Sequence, residues 1–138
     1  MAKFRIGKIS RIDYKAGKVA VMFPDQDDAV TDLLPFLAFG GEYHMPKPGQ
    51  YVAVAHLSTG EEMGIVLGAF WSESNPPAAW GKDIFRKEMS NEPGRAFLQH
   101  APDSGTLTIK ADKIKLQTDS GTVTVAEIIA AIRSIREV

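Results

Sequence analysis

Two clusters of carboxylates are the first groups in this sequence that could do chemistry. Asp25, Asp27 and Asp28 form one cluster, and Glu61 and Glu62 form the other. Neighbouring carboxylates can act as a general acid and base, and several carboxylate oxygens together can bind Ca²⁺. However, the aspartates lack the glycine and the terminal glutamate of an EF-hand loop, and both clusters fall in predicted turns. We therefore predict solvated loops rather than an acid–base pair or a calcium site.

The histidines and candidate nucleophiles give no stronger signal. His44, His56 and His100 are isolated, so no two of them have the spacing of metal ligands. Cysteine is absent, which excludes a disulfide framework and thiolate chemistry. The sequence also lacks a Gly-x-Ser-x-Gly nucleophile elbow and a glycine-rich phosphate loop. This pattern predicts a protein that is not an enzyme, with no catalytic residues, no metal site and no cofactor.

The composition is that of an ordinary folded protein. The chain has 138 residues, of which 44% are hydrophobic and 24% charged, and it has 16 Lys+Arg against 17 Asp+Glu. Disorder would need lower hydrophobicity and a larger net charge, and a dedicated nucleic-acid binder would usually show a basic surplus. No apolar run approaches the roughly 18 residues that cross a membrane. The first ten residues lack the apolar region of a secretory signal, so we expect a protein made in the cytoplasm.

The first half of the chain shows the apolar alternation of β-strands. A change of phase predicts a bend or bulge near Gly7, and Gly17 suits a hairpin turn with positive φ. Five short strands with no helix between them predict a five-stranded antiparallel OB-fold barrel over residues 1–72. Residues 73–95 are rich in Pro, Ser and Asn and are predicted to be a linker. The predicted strands are residues 4–12, 18–23, 32–37, 50–57 and 63–70.

Three further strands are predicted in residues 96–125, at 106–111, 113–118 and 122–125. Each offers only one or two aliphatic side chains to an inner face. Burying such a side chain contributes roughly 1.5–3 kcal/mol, whereas ordering one residue costs about 1–2 kcal/mol in the backbone alone. Such a sheet is marginal by itself, which favours a short intertwined trimeric β-helix or prism; the alternative is that the strands pack on the barrel. The shared core would contain Leu107, Ile109, Ile114, Leu116, Val123 and Val125.

Residues 125–138 are predicted to form an α-helix. Thr124 and Glu127 have the spacing of a capping box. The helix would either dock on its own domain or bundle with two copies on a trimer axis, and it is too short to oligomerise alone. The face that would be buried in either case contains Val125, Ile128, Ile129, Ile132 and Ile135.

The strand segments resemble a known family. Phe-Arg-Ile-Gly-Lys-Ile at residues 4–9, Gly-Lys-Val-Ala-Val at 17–21, Pro-Lys-Pro-Gly at 46–49 and Gly-Ile-Val-Leu-Gly-Ala-Phe-Trp at 64–71 are similar to the baseplate assembly protein V family of contractile phage tails. Phage tail spikes and the VgrG spikes of type VI secretion share this module. The resemblance covers residues 4–80 and implies an OB-fold followed by an intertwined trimeric β-helix. The family forms the membrane-piercing spike beneath the tail tube.

This resemblance implies a structural homotrimer that is assembled into a virion or a tail-like particle and meets a membrane only during piercing. Its partners would be baseplate hub and tail tube proteins. Many family members end in a His-x-His iron site, which this sequence lacks, so a separate tip protein is a further candidate partner. Candidate hub contacts are Lys3, Arg5, Lys8, Arg11, Trp71 and Trp80.

A second interpretation assigns the basic residues and the tryptophans other roles. OB-folds also bind single-stranded nucleic acid or oligosaccharide through aromatic side chains and basic loops. That function predicts a salt-sensitive affinity for single strands, whereas a spike predicts no nucleic-acid partner. Trp71 and Trp80 would cover the base of the barrel if they contact no partner.

Overall fold

The computed structural model describes residues 3–57 and 63–137, which divide into two compact units, Met1–Pro76 and Pro77–Val138. Both units are mainly β and contain antiparallel sheets, and the described residues include a single α-helix, at the C-terminal end of the second unit. The mainly β class and the C-terminal helix were predicted from the sequence. Short 3-10 turns occupy Pro24–Gln26 and Phe39–Gly41. The regular elements are β1 (Lys3–Asp13), β2 (Lys18–Phe23), β3 (Ala29–Val30), β4 (Leu34–Pro35), β5 (Tyr51–His56), β6 (Gly64–Gly68), β7 (Phe85–Glu88), β8 (Phe97–Ala101), β9 (Thr106–Lys110), β10 (Lys115–Thr118), β11 (Gly121–Thr124) and α1 (Val125–Arg136).

The first unit is built around one six-stranded sheet. Its strands run in the order β3-β2-β1-β5-β6, and β4 pairs with β2 off this path. Alternate residues of these strands point inward and form the core of the unit. The core residues are Ile9, Val19, Val21, Phe23, Leu34, Val52, Val54 and Val66.

The hairpin between β1 and β2 has the predicted turn, but its bulge lies elsewhere. Gly17 has a φ of 68°, and the Asp13 carboxylate accepts a hydrogen bond from the Ala16 N–H at 3.1 Å. The register shifts between Ile9 and Arg11, not near Gly7. Gly7 is needed because a Cβ there would overlap a methyl of Val21. Glycine thus permits close packing of two strands at this position, and the bulge prediction was wrong.

The segment after β3 joins two strands that lie apart in the sheet. Leu34 and Pro35 pair with β2, the next residue, Phe36, forms a parallel bridge with Val66 of β6, and the Leu37 N–H donates to the Val66 carbonyl at 2.9 Å. The predicted strand over residues 32–37 is therefore only two residues long. No closed barrel is detected within residues 3–57 and 63–137.

The second unit begins within the segment that was predicted to be a linker. Residues 73–95 include β7, which pairs antiparallel with β8, and β8 pairs with β9 in a three-stranded sheet. The linker prediction for this stretch is thus wrong at residues 85–88. The apolar content of β7 is low, so its alternation is hard to recognise before its partner strand is known.

A hairpin and the helix complete the second unit. β10 and β11 pair through a tight turn, and the N–H of Val125 donates to the Ile114 carbonyl at 2.9 Å. Helix α1 begins as predicted: Thr124 accepts from the Glu127 N–H at 3.1 Å, and the Glu127 carboxylate accepts from the Thr124 N–H at 3.0 Å. This capping box is confirmed. In the described part of the chain, no helix has the length and apolar character to cross a membrane.

Replacing Gly7 by alanine tests the close packing of β1 on β2. The added Cβ would also lie 2.7 Å from the Met22 carbonyl oxygen, which is part of the backbone and has little freedom to move. We expect the Gly7→Ala variant to lose about 1–3 kcal/mol of unfolding free energy, measured by urea denaturation. The Ser10→Ala variant, at an exposed position of the same strand, should change it by no more than about 0.5 kcal/mol. Equal stability of the two variants would contradict this packing.

Candidate functional site

The residues that could do acid–base or metal chemistry are not gathered at one place. His56 is buried beside Phe23, with the ring centroids 5.6 Å apart. Asp25, Asp27 and Asp28 are exposed, as expected for a solvated loop. Among the described residues, no group of three or more His, Cys, Asp or Glu side chains could hold a metal ion. The predicted turn containing Glu61 and Glu62 lies outside the described residues.

The distribution of burial is the most distinctive property of the molecule. The core lies entirely in the first unit. In the second unit, none of the described residues 77–137 is buried. A folded sheet and helix normally cover one face with apolar contacts, because that burial offsets the entropy lost on ordering the chain. The faces that remain uncovered are therefore the candidate site.

The β7–β9 sheet has one apolar face, which we call the sheet face. Residues opposite one another in the ladder share a face, so the register places Phe85, His100 and Leu107 in one row. A second row on the same side contains Lys87, Leu98 and Ile109, so this face is mainly but not wholly apolar. Phe85, Leu107 and Ile109 are each more than half exposed. Exposed apolar surface of this kind is a candidate interaction surface.

The opposite face of the same sheet is polar and is satisfied within the chain. Arg86 donates to the Glu88 carboxylate and to the Gln99 amide oxygen at 2.9 Å, and its guanidinium carbon lies 3.5 Å from the Phe97 ring centroid. The Gly94 N–H donates to Glu88 at 2.6 Å. The hydrogen bond from Arg86 is the main cause that lowers the pKa of the Glu88 carboxyl, partial burial opposes it, and the Gly94 N–H adds to it. The hydrogen-bonded polar groups thus lie mainly on this face, and most of the aliphatic side chains lie on the other.

The β10–β11 hairpin continues this arrangement with its own apolar side, the hairpin face. Leu116 pairs with Val123, and Ile114 lies opposite Val125 through their backbone hydrogen bond. Because side chains alternate along a strand, these four residues share one side. The residues on the other side are Lys115, Gln117, Thr122 and Thr124. Leu116 is about half exposed.

Helix α1 presents the third apolar surface, the helix face. Ile128, Ile129, Ile132 and Ile135 recur at steps of three and four, as predicted, and no residue of the helix is buried. Ile135 is 74% exposed. The alternative in which this helix docks on its own domain would bury that face, so the described chain does not support it. All ten residues of the predicted core therefore lie on the sheet, hairpin and helix faces.

The predicted hub contacts are not all accessible. Lys3 and Arg11 are exposed, and the Lys8 ammonium lies 5.0 Å from the Tyr51 ring centroid. Arg5 is different: its side chain is 12% exposed and its guanidinium lies 3.7 Å above the Phe23 ring. We therefore remove Arg5 from the candidate contacts.

The two tryptophans are among the most exposed large side chains. Trp71 is 68% exposed and Trp80 is 77% exposed. Trp71 is thus not packed over the sheet of its own unit, whereas for Trp80, in the second unit, the alternative of covering a barrel stays a prediction. Both remain candidate contacts for a partner.

Sequence reasoning missed part of the sheet face. Phe85, Met89 and Leu98 contribute to it, and the first two lie in the predicted linker. Their only signal in the sequence is the spacing of Phe85 and Met89 on one side of an alternating strand, interrupted by Lys87. Comparison with protein-family models and with curated proteins found no match to this chain.

The Glu88 carboxylate should make the stability of the second unit depend on pH. Its lowered pKa means that ionised Glu88 stabilises the fold above its ordinary pKa of 4.5, and this stabilisation is lost as the pH falls through the lower value in the folded state. We expect the melting temperature to fall between about pH 6 and about pH 3 by less in Glu88→Gln than in the native chain. Thermal denaturation followed by circular dichroism measures this. A Glu73→Gln variant in the first unit is the control, and an identical pH response of all three proteins would contradict the role of Glu88.

Proposed function

We propose that this chain is a structural protein that works as a homotrimer in the central spike and hub region of a contractile phage tail or a related injection particle. The observation that supports this most directly is the uncovered apolar surface of the second unit. Its sheet, hairpin and helix faces collect the apolar side chains, yet none of the described residues 77–137 is buried. A unit of this kind gains its core by association with further copies of itself.

The polarity of the β7–β9 sheet supports an arrangement around an axis. Its polar face is already hydrogen-bonded within the chain through Arg86, Glu88 and Gln99, so it can face water at no further cost. Its apolar face exposes Leu107 and Ile109. Copies related by rotation about one axis would all turn the apolar faces inward and form a shared core. Burial stabilises by about 25 cal/mol for each Å² of apolar surface removed from water.

The first unit supports the proposal of an OB-type barrel at the head of the spike. Strand β4 pairs with β2, and Phe36 and Leu37 then bond to Val66 of β6. The strand pairing runs from β4 to β2, β1, β5 and β6 in turn. Strand β6 then contacts the residues that directly follow β4, so the series of pairings returns to its starting point. A parallel contact between the predicted third strand, residues 32–37, and the last strand of this sheet is compatible with an OB-type barrel.

The proposed mechanism is mechanical. Force from the contracting tail would pass along the trimer, whose stiffness comes from a shared aliphatic core rather than from disulfides, since the chain has no cysteine. The first unit would contact the hub or the tail tube through the exposed Lys3 and Arg11 together with Lys8, and Trp71 and Trp80 are further candidates. A separate tip protein would complete the particle, and a membrane would be met only during piercing.

The solution mass is the first test of this proposal. We expect light scattering to give about three times the chain mass of 15.1 kDa. A particle of a single chain would overturn the proposed function, because the apolar faces would then stay in water.

Substitutions on the two sides of the hairpin test the shared core. Leu116 is exposed in a single chain, so Leu116→Asp should be harmless unless another copy covers it. We expect this variant to lose the trimer while the first unit keeps its own core, as measured by light scattering and circular dichroism. Gln117→Asp places the same charge on the opposite side and should remain trimeric. Ile109→Asp and the opposite-side Thr106→Asp form an equivalent pair on the sheet. Trimeric Leu116→Asp and Ile109→Asp proteins would contradict the shared core.

One observation favours the alternative of single-stranded nucleic-acid binding. Phe4 and Tyr51 are exposed on β1 and β5, and Lys8 lies over the Tyr51 ring. Exposed aromatic side chains beside a cation can stack with bases. A titration of fluorescent oligo-dT at low salt separates the two functions. The proposed spike shows no binding, whereas a binding module shows an affinity that weakens as salt is added.

A further inference from the structure

We propose that α1 sets the register of the trimer by packing, parallel and in register, against the α1 helices of the two other copies. This inference rests on the homotrimer of the proposed function. The contact would be made by Val125, Ile128, Ile132 and Ile135, and the partner is a second and third copy of this same segment.

The first argument is the continuity of the hairpin and helix faces. Val125 is the first residue of α1, and its N–H donates to the Ile114 carbonyl at 2.9 Å. Val125 therefore belongs to both faces at once. The capping box between Thr124 and Glu127 fixes the start of the helix relative to the hairpin. When copies associate through their hairpin faces and cover Leu116, the first turns of their helices are thus brought close together.

The second argument is the choice of residues at heptad spacing. Val125 and Ile132 are seven residues apart, as are Ile128 and Ile135, which gives alternating steps of three and four. These are the a and d positions of a coiled coil, and isoleucine occupies three of the four, a choice that favours three or four strands over two. Ile129 lies beside this seam and widens it.

The third argument is the character of the remaining helix surface. Ala126, Ala130 and Arg133 lie on the other side, where small and charged residues face water. Only one side of the helix can therefore enter a core. If α1 runs along a three-fold axis, rotation makes the three helices parallel, so each isoleucine meets its own counterpart in the other copies.

A register-setting element fits the rest of the unit. Strand pairs with thin apolar faces specify their register weakly, because few side chains distinguish one alignment from the next. Knobs packed into holes specify it more strongly. Three helices tethered to hairpins also meet at high effective concentration, which offsets the shortness of a 12-residue helix.

Because the chain has no cysteine, any disulfide formed by a single-cysteine variant must involve the introduced thiol. An Ile135→Cys chain has a single thiol, which in parallel, in-register helices lies near the same thiol of the other copies. We expect mild oxidation to join two chains of each trimer, seen as a dimer band on a non-reducing gel, leaving the third thiol free. An Ala130→Cys chain, with its thiol on the outer side, should cross-link at least ten-fold more slowly.

A second pair of variants avoids dependence on the thiol. Ile132→Asp should raise the protein concentration at which the trimer half-dissociates by at least ten-fold in dilution series followed by light scattering. Ala130→Asp should leave it unchanged.

The outcomes separate this inference from the proposed function. A native chain of single-copy mass would overturn both. If the native chain is trimeric but Ile135→Cys cross-links no faster than Ala130→Cys, the helix contact alone is overturned. The same conclusion follows if Ile132→Asp dissociates at the same concentration as Ala130→Asp.

Discussion

The second unit cannot cover its apolar side chains with its own residues, and this constraint governs the interpretation of the whole molecule. A three-stranded sheet, a hairpin and one helix each have a single apolar side, and all three sides remain exposed in the described chain. In the three-stranded sheet, hydrogen-bonded polar side chains and exposed aliphatic side chains lie on opposite sides. Arg86 and Glu88 are held by hydrogen bonds on one side, whereas Leu107 and Ile109 on the reverse meet water. Covering these apolar sides would stabilise such a chain, because it removes apolar surface from water.

The first unit has the opposite property, because it completes its core within one chain. Its sheet surrounds buried side chains such as Val21 and Val52, and Gly7 lets two strands approach closely enough to exclude water. The contrast explains why an average composition is misleading. The hydrophobic fraction is a mean over one unit that buries its apolar residues and another that displays them. Under our proposal, the first unit joins neighbouring proteins and the second joins copies.

Local signals in the sequence predicted local structure well and long-range pairing poorly. The helix start was predicted because Thr124 and Glu127 bond to each other over three residues. The turn at Gly17 was predicted for the same reason. In contrast, β7 was hidden in the predicted linker, since its identity depends on a partner strand. Arg5 was predicted to be accessible because it is charged, but stacking on Phe23 depends on the fold. The apolar faces were predicted residue by residue, but only the register groups Phe85 with Leu107.

The exposure of the three apolar faces has a consequence for biosynthesis under the trimer proposal. The first unit folds in a step that involves one chain, whereas the second completes its core only when chains meet. Each new chain then passes through a partly folded intermediate, whose lifetime depends on the concentration of other copies. Exposed apolar surface promotes aggregation of such an intermediate. The folded first unit would keep the unassembled chain in solution. The yield of particles would therefore depend on the rate of synthesis as well as on stability.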